Sequence, residues 1–94
     1  MYNIFTFYKF KKIIKLKNKK KLLDNLLKKE NFRGTIIISS EGLNGTISFG
    51  VKKYNLIKKN IKKIFNLKTF DNENLSYYKY QAFHKGKIKI KKEL

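Results

Sequence analysis

Between Ile4 and Phe10, the stretch IFTFYKF alternates with a period of two, so that Phe5 and Phe7 face one way and Ile4, Thr6, Tyr8 and Phe10 the other. That pattern predicts a strand with two partly apolar faces. Further on, Leu22, Leu23, Leu26 and Leu27 share one stripe while lysines line the opposite side. This is an amphipathic helix, with Asn18 as its expected cap and Glu30 as its end. Gly34 to Ser40 (GTIIISS) and Gly45 to Phe49 (GTISF) are two short β-branched runs separated by Glu41, Gly42, Leu43 and Asn44. Glycine and the Asn44-Gly45 pair supply the positive φ angles of a tight reversal, so the two runs form a hairpin.

After Gly50, Tyr54, Ile57, Ile61, Ile64 and Phe65 recur at spacings of three and four, which predicts a second amphipathic helix. Asp71 to Ser76 (DNENLS) is acidic and polar and is expected to be a loop, followed by the tyrosine-rich YYKYQAF from Tyr77 to Phe83. At the end, Ile88 and Ile90 alternate with Lys87, Lys89 and Lys91, the pattern of a last strand. The order β-α-β-β-α-β predicts an α+β, ferredoxin-like (acylphosphatase-like) sandwich: a four-stranded antiparallel sheet with two helices on one face. Residues 1–94 are expected to make a single domain, with no internal repeat.

Composition narrows the function. An apolar fraction of 41% with 6 Tyr and 8 Phe supports a packed core. The absence of cysteine excludes a disulfide framework, a thiolate zinc site and a cysteine nucleophile within this chain. No stretch resembles a signal peptide or a membrane span, so the expected location is the cytoplasm, without a membrane partner. The formal net charge of +18 attracts polyanions, nucleic acid first among them. Against that stands a composition dominated by Lys, Asn and Ile, as an AT-rich genome would produce. Arg33 is the one arginine available for bidentate phosphate contacts.

Candidate chemistry is sparse. The turn SSEGLNG has glycines suited to an anion-binding nest but lacks the lysine-plus-hydroxyl ending of a P-loop, and a structural role for Gly42, Asn44 and Gly45 explains it equally. Glu41 is the sole carboxylate between Asn31 and Phe70; it either pairs with a lysine or orients a substrate or partner. His84 stands alone, so neither a metal site nor a Ser/His/Asp constellation can be assembled, and no catalytic residue and no cofactor are expected. Tyr77, Tyr78 and Tyr80 among lysines suit base stacking or, equally, covering a sheet edge. The same strand order occurs in RNA-recognition motifs and acylphosphatases. GTISFG has too few aromatics for the first, and KKIIKLKNKK has neither the glycine nor the arginine of the second's loop.

Taken together, YKF (Tyr8 to Phe10), GTIIISSEGLNGTISFG and FHKGKIKIKKEL resemble the N-terminal domain of the oxygen-dependent tRNA uridine hydroxylases, a rhodanese-related family. The family's GTI-x-x-A-x-EG-[IL]-NGT hairpin falls on Gly34, Thr35, Glu41, Gly42, Asn44, Gly45 and Thr46. Its last-strand pattern falls on Phe83, Lys87, Lys89, Lys91, Lys92 and Glu93. Ser39 replaces the usual alanine, and Lys85 or Gly86 stands where the family has arginine. In that family a rhodanese-like domain with a loop cysteine follows and is the expected centre for hydroxylating the wobble uridine of tRNA. The resemblance therefore implies a tRNA-facing domain, with Arg33, Lys85, Lys87, Lys89 and Lys91 as nucleic-acid contacts and the rhodanese-like catalytic domain, absent from these residues, supplied in cis or in trans. Two other readings remain: a protein-interaction module whose hairpin docks on a separate catalytic subunit, and a freestanding basic RNA-binding domain.

Overall fold

The computed structural model describes residues 1–94. Its elements are β1 (Tyr2–Phe10), α1 (Leu16–Glu30), β2 (Arg33–Ser39), β3 (Gly42–Gly50), a single 3-10 turn (Val51–Lys53), α2 (Tyr54–Phe65), β4 (Asn72–Tyr78) and β5 (Gly86–Ile90). The strands form one sheet in the order β4-β1-β3-β2-β5. Both helices supply buried side chains to a single core with one face of that sheet, so the expected ferredoxin-like α+β class holds. The sheet has five strands instead of four, and β5 runs parallel to β2.

The extra strand is the segment expected to be a loop. Asn72 to Tyr78 pairs with β1 from Tyr8↔Asn72 to Tyr2↔Tyr78. An edge strand buries little, so Leu75 alone on its helix-facing side is packed against the core, and a polar composition is tolerated. With β4 beside β1, the last strand has to take the opposite edge. Residues 79–85 carry the chain across the open face of the sheet: Gln81 Nε2 donates to Ser48 O at 3.0 Å, and Ala82 N donates to Ser48 Oγ at 3.3 Å. These contacts help to bury Ser48 in the middle of a polar face.

Phe5 and Phe7 of β1, Ile36 and Ile38 of β2, Leu43, Ile47 and Phe49 of β3, and Ile88 of β5 pack against Leu23 and Leu26 of α1 and Ile57, Ile61 and Phe65 of α2. Leu22, expected in the apolar stripe, is 40% exposed. Helix α1 begins two residues before Asn18, behind Lys15 in a left-handed conformation, and Asn18 does not cap it. Asn31 and Asn66, both at positive φ, end the two helices and return their backbone N–H groups to the last turn. Lysine ammonium groups complete those ends. Lys11 and Lys19 donate to the carbonyls of Phe65, Asn66 and Ile64, and Lys53 donates to that of Glu30. Part of the lysine excess is thus structural, placed where the helix dipole favours a cation.

Candidate functional site

Residues opposite one another in a sheet share a face, so the register lays out the surface away from the helices. One row reads Asn74, Thr6, Thr46, Thr35 and Lys87 across the five strands; the next reads Asn72, Tyr8, Asn44, Ile37 and Lys89. A third carries Ser76, Ile4, Ser48 and Arg33. No carboxylate occurs in these rows. Lys87 and Lys89 therefore project from one edge of a neutral, hydroxyl- and amide-bearing face, and Lys91 follows, its N–H still bonded to Ile38 O at 2.9 Å. Lys85 is exposed at the entrance to β5, where its carbonyl accepts from Gly34 N at 2.8 Å. Arg33 is half-buried and donates from Nη1 to Phe83 O at 3.4 Å, which ties it to the crossing segment. The five expected basic contacts thus lie along β5 and the neighbouring end of β2.

The hairpin motif resolves differently from its sequence reading. The reversal is made by Ser40 and Glu41 alone, because Ser39 already pairs with Gly42. Ser39 Oγ accepts from Glu41 N at 3.0 Å, and Glu41 O accepts from Lys11 N at 3.0 Å, fixing the turn against the chain leaving β1. Asn44, Gly45 and Thr46 lie inside β3, so the Asn44-Gly45 pair is not the turn. Gly42 is required by backbone: at φ 149° a Cβ would stand 2.1 Å from Lys9 O. Gly45 is required by space, since a Cβ would stand 2.6 Å from Phe7 Cζ. Thr46 Oγ1 meets Thr6 Oγ1 at 3.5 Å. Of the motif, Glu41 alone is an exposed charge at the tip.

Two polar clusters lie off this face. Glu73 of β4 pairs with Lys58 of α2 and accepts from Tyr54. Desolvation opposes the charge on Lys58, but the Glu73 carboxylate and the Tyr54 hydroxyl outweigh it and raise its pKa. Beside α2 lies an open depression of about 620 Å³ lined by Tyr54, Lys58, Lys59, Lys62 and Lys63. At the end of β1, Asp71 takes three bonds: its N–H donates to Tyr8 O at 2.9 Å, and its carboxylate accepts from Phe10 N at 2.7 Å and Lys9 Nζ at 3.1 Å. The Phe10 N–H, followed by the Lys9 ammonium, holds the Asp71 carboxyl below the usual aspartate range. Nothing in the sequence pattern signals this clamp, because the polar run DNENLS reads as a loop. Nor does that pattern signal that Tyr8 and Phe10, with rings 5.5 Å apart, stay 37% and 65% exposed.

No three His, Cys, Asp or Glu side chains come together as a metal site. No helix is long and apolar enough to cross a membrane. The connection after β1 lacks glycine and arginine, and its Lys11 and Ile13 N–H groups are bonded to Glu41 O and Ser40 O. A phosphate loop there would need such amides free.

Strand order and helix placement define an acylphosphatase-like domain whose first connection has no phosphate cradle. The likeness extends to the acylphosphatase of Bacillus subtilis, at 9% identity and a TM-score of 0.62 over 94% of this chain and 98% of that one. It extends also to part of HypF, at 17% identity and a TM-score of 0.64 over 96% of this chain and 12% of that one. At these identities the fold alone is shared. The chain belongs to the UPF0176 family: the model described as "UPF0176 acylphosphatase like domain" matches residues 2–94. A relative from Pelagibacter ubique (strain HTCC1062) named "tRNA uridine(34) hydroxylase" is 53% identical over all of this chain and 31% of its own length. One of the same name from Rickettsia bellii (strain OSU 85-389) is 36% identical over 71% of this chain and 27% of its own. The chain thus spans under a third of the length of these relatives and corresponds to their N-terminal domain.

Proposed function

We propose that this chain is the tRNA-facing domain of a cytoplasmic tRNA uridine(34) hydroxylase, with oxidation of the wobble uridine carried out by a rhodanese-like catalytic domain in cis or in trans. The observation that carries this reading is the 53% identity to the Pelagibacter relative across the whole chain. The carboxylate-free face edged by Lys87 and Lys89 supports it physically. In this reading Arg33, Lys85, Lys87, Lys89 and Lys91 neutralise phosphates, and the domain holds tRNA without itself reacting.

Binding of tRNA should weaken with salt at a log–log slope of roughly 0.7–0.9 per phosphate neutralised. Reversing Lys87, Lys89 and Lys91 together to Glu should lower both affinity and slope. The same charge change at Lys17, Lys21 and Lys28, exposed on α1, should do so far less. Equal losses from the two triple variants would mean that only total charge matters and would sink the assignment of β5. A docking role for the hairpin is the second reading, favoured by Glu41, whose carboxylate stands exposed at the turn with no ion-pair partner in the chain. It predicts that Glu41→Ala disrupts a complex with the catalytic domain while tRNA affinity stays unchanged.

A further inference from the structure

We propose that Tyr8 and Phe10, on the open face of the sheet, form a stacking site for an unpaired nucleobase of single-stranded RNA; this deepens the tRNA-facing reading and rests on it. Both rings come from one side of β1, and both remain exposed, Tyr8 at 37% and Phe10 at 65%. Their cross-strand neighbours do not account for them. Tyr8 stands between Asn44 and Asn72, and Phe10 stands opposite Gly42. A ring serving only to cover Gly42 would be buried against it, yet Phe10 is 65% exposed.

The pair is pre-ordered. The rings meet at 67° with centroids 5.5 Å apart, and Asp71 pins the backbone at both Tyr8 O and Phe10 N. Little conformational freedom is left to lose when a base docks. The surroundings match the chemistry of an RNA strand. A depression of about 180 Å³ beside Tyr8 is lined by Thr6, Asn72 and Asn74, whose amides and hydroxyl can meet base edges. The Tyr8 row ends at Lys89, three strand spacings or roughly 14 Å away, where a phosphate of the same strand can be neutralised. Aromatic faces with cations at their margin and no carboxylate between them are the elements of a single-strand platform. The charge of +18 favours RNA over a protein surface as the occupant.

The test titrates the chain with a labelled oligouridylate of about 10 nucleotides, with an RNA duplex of the same length and with tRNA. Tyr8→Leu and Phe10→Leu should each weaken single-strand binding by roughly 5- to 100-fold, the equivalent of one lost base stack, and leave duplex binding within about 2-fold. Phe10→Trp, which places the only tryptophan of the chain at the site, should retain affinity and show its fluorescence quenched as the oligouridylate binds. Unchanged single-strand affinity in the Leu variants, with no quenching in Phe10→Trp, overturns the stacking site. The tRNA-facing reading survives that result if the Lys87, Lys89 and Lys91 reversal still weakens tRNA binding, and both fall if no RNA is bound at all. Leu variants that lose affinity for a rhodanese-like domain but not for RNA also overturn the proposal and make the face a protein-docking surface.

Discussion

Gly42 and Gly45, three residues apart in one motif, are glycine for different reasons that a stability measurement separates. At Gly45 the obstacle is the movable ring of Phe7 in the core, with Ile36 Cγ1 next at 3.1 Å; at Gly42 it is the backbone carbonyl of Lys9, together with a positive φ. Gly45→Ala should cost about 1–3 kcal/mol as an overpacked core site. Trimming the neighbour in Gly45→Ala/Phe7→Leu should recover part of that loss. Gly42→Ala should cost more and gain nothing from Phe7→Leu, because a side chain cannot make room within a strand backbone. Chemical denaturation of the singles and doubles reads the coupling; none between positions 45 and 7 would refute the spatial account. Asn3 illustrates the opposite situation. It is 1% exposed, and neither atom of its amide finds a hydrogen-bond partner within the chain.

At the scale of elements, the joint between β1 and β4 depends on Asp71, and acid should loosen it. A carboxyl whose folded pKa is depressed adds stability above its unfolded pKa and loses it as pH falls through the folded value. The stability difference between the wild type and Asp71→Asn should therefore be full at neutral pH and vanish on acidification below the usual aspartate range. Thermal unfolding across pH measures it, and a gap that persists in acid would assign the effect to geometry instead of charge. This joint was also where the sequence was least legible. Both helices, β1 and β5 were visible because each repeats its apolar positions at a fixed period, and β2 because it is a β-branched run; most of these positions are buried, with Leu22 and Ile90 left exposed. β4 repeats almost nothing: Leu75 packs, Glu73 bonds to α2, Ser76 is half-buried and Asn72 and Asn74 are exposed, so its strand character comes from the ladder to β1. The hairpin turn was misplaced for a related reason. Asn44-Gly45 has turn chemistry, but the glycine is there for Phe7, and the reversal is made by two residues with no strong turn signature. That Lys87, Lys89 and Lys91 share one side of the last strand was legible by alternation, whereas their proposed role came from the family resemblance alone. The exposure of Tyr8 and Phe10 was not legible, because periodicity assigned them a face without saying which part of that face the crossing segment leaves open.

For the whole molecule, the question is how a core of 16 buried hydrophobic residues stays folded under a net charge of +18. The ion pairs are few. Lys9–Asp71, Lys20–Asp24, Lys53–Glu30 and Lys58–Glu73 engage a minority of the lysines, and the helix ends take Lys11 and Lys19. The remaining cations repel one another over distances comparable to the Debye length of about 10 Å at 0.1 M salt. Raising sodium chloride from about 0.01 M to about 0.15 M should therefore raise Tm, in contrast to a protein held chiefly by ion pairs, which the same change destabilises. Single-stranded RNA at low salt should raise Tm further if it engages the native face, since a ligand bound only by the folded state stabilises it in proportion to the logarithm of its concentration over Kd. The two effects should oppose each other. Added salt relieves the self-repulsion and at the same time releases the RNA, so the RNA-dependent increment should shrink as the RNA-free Tm climbs. An increment that did not change with salt would show that the bound strand is held without phosphate contacts, and the basic edge along β5 would lose its role.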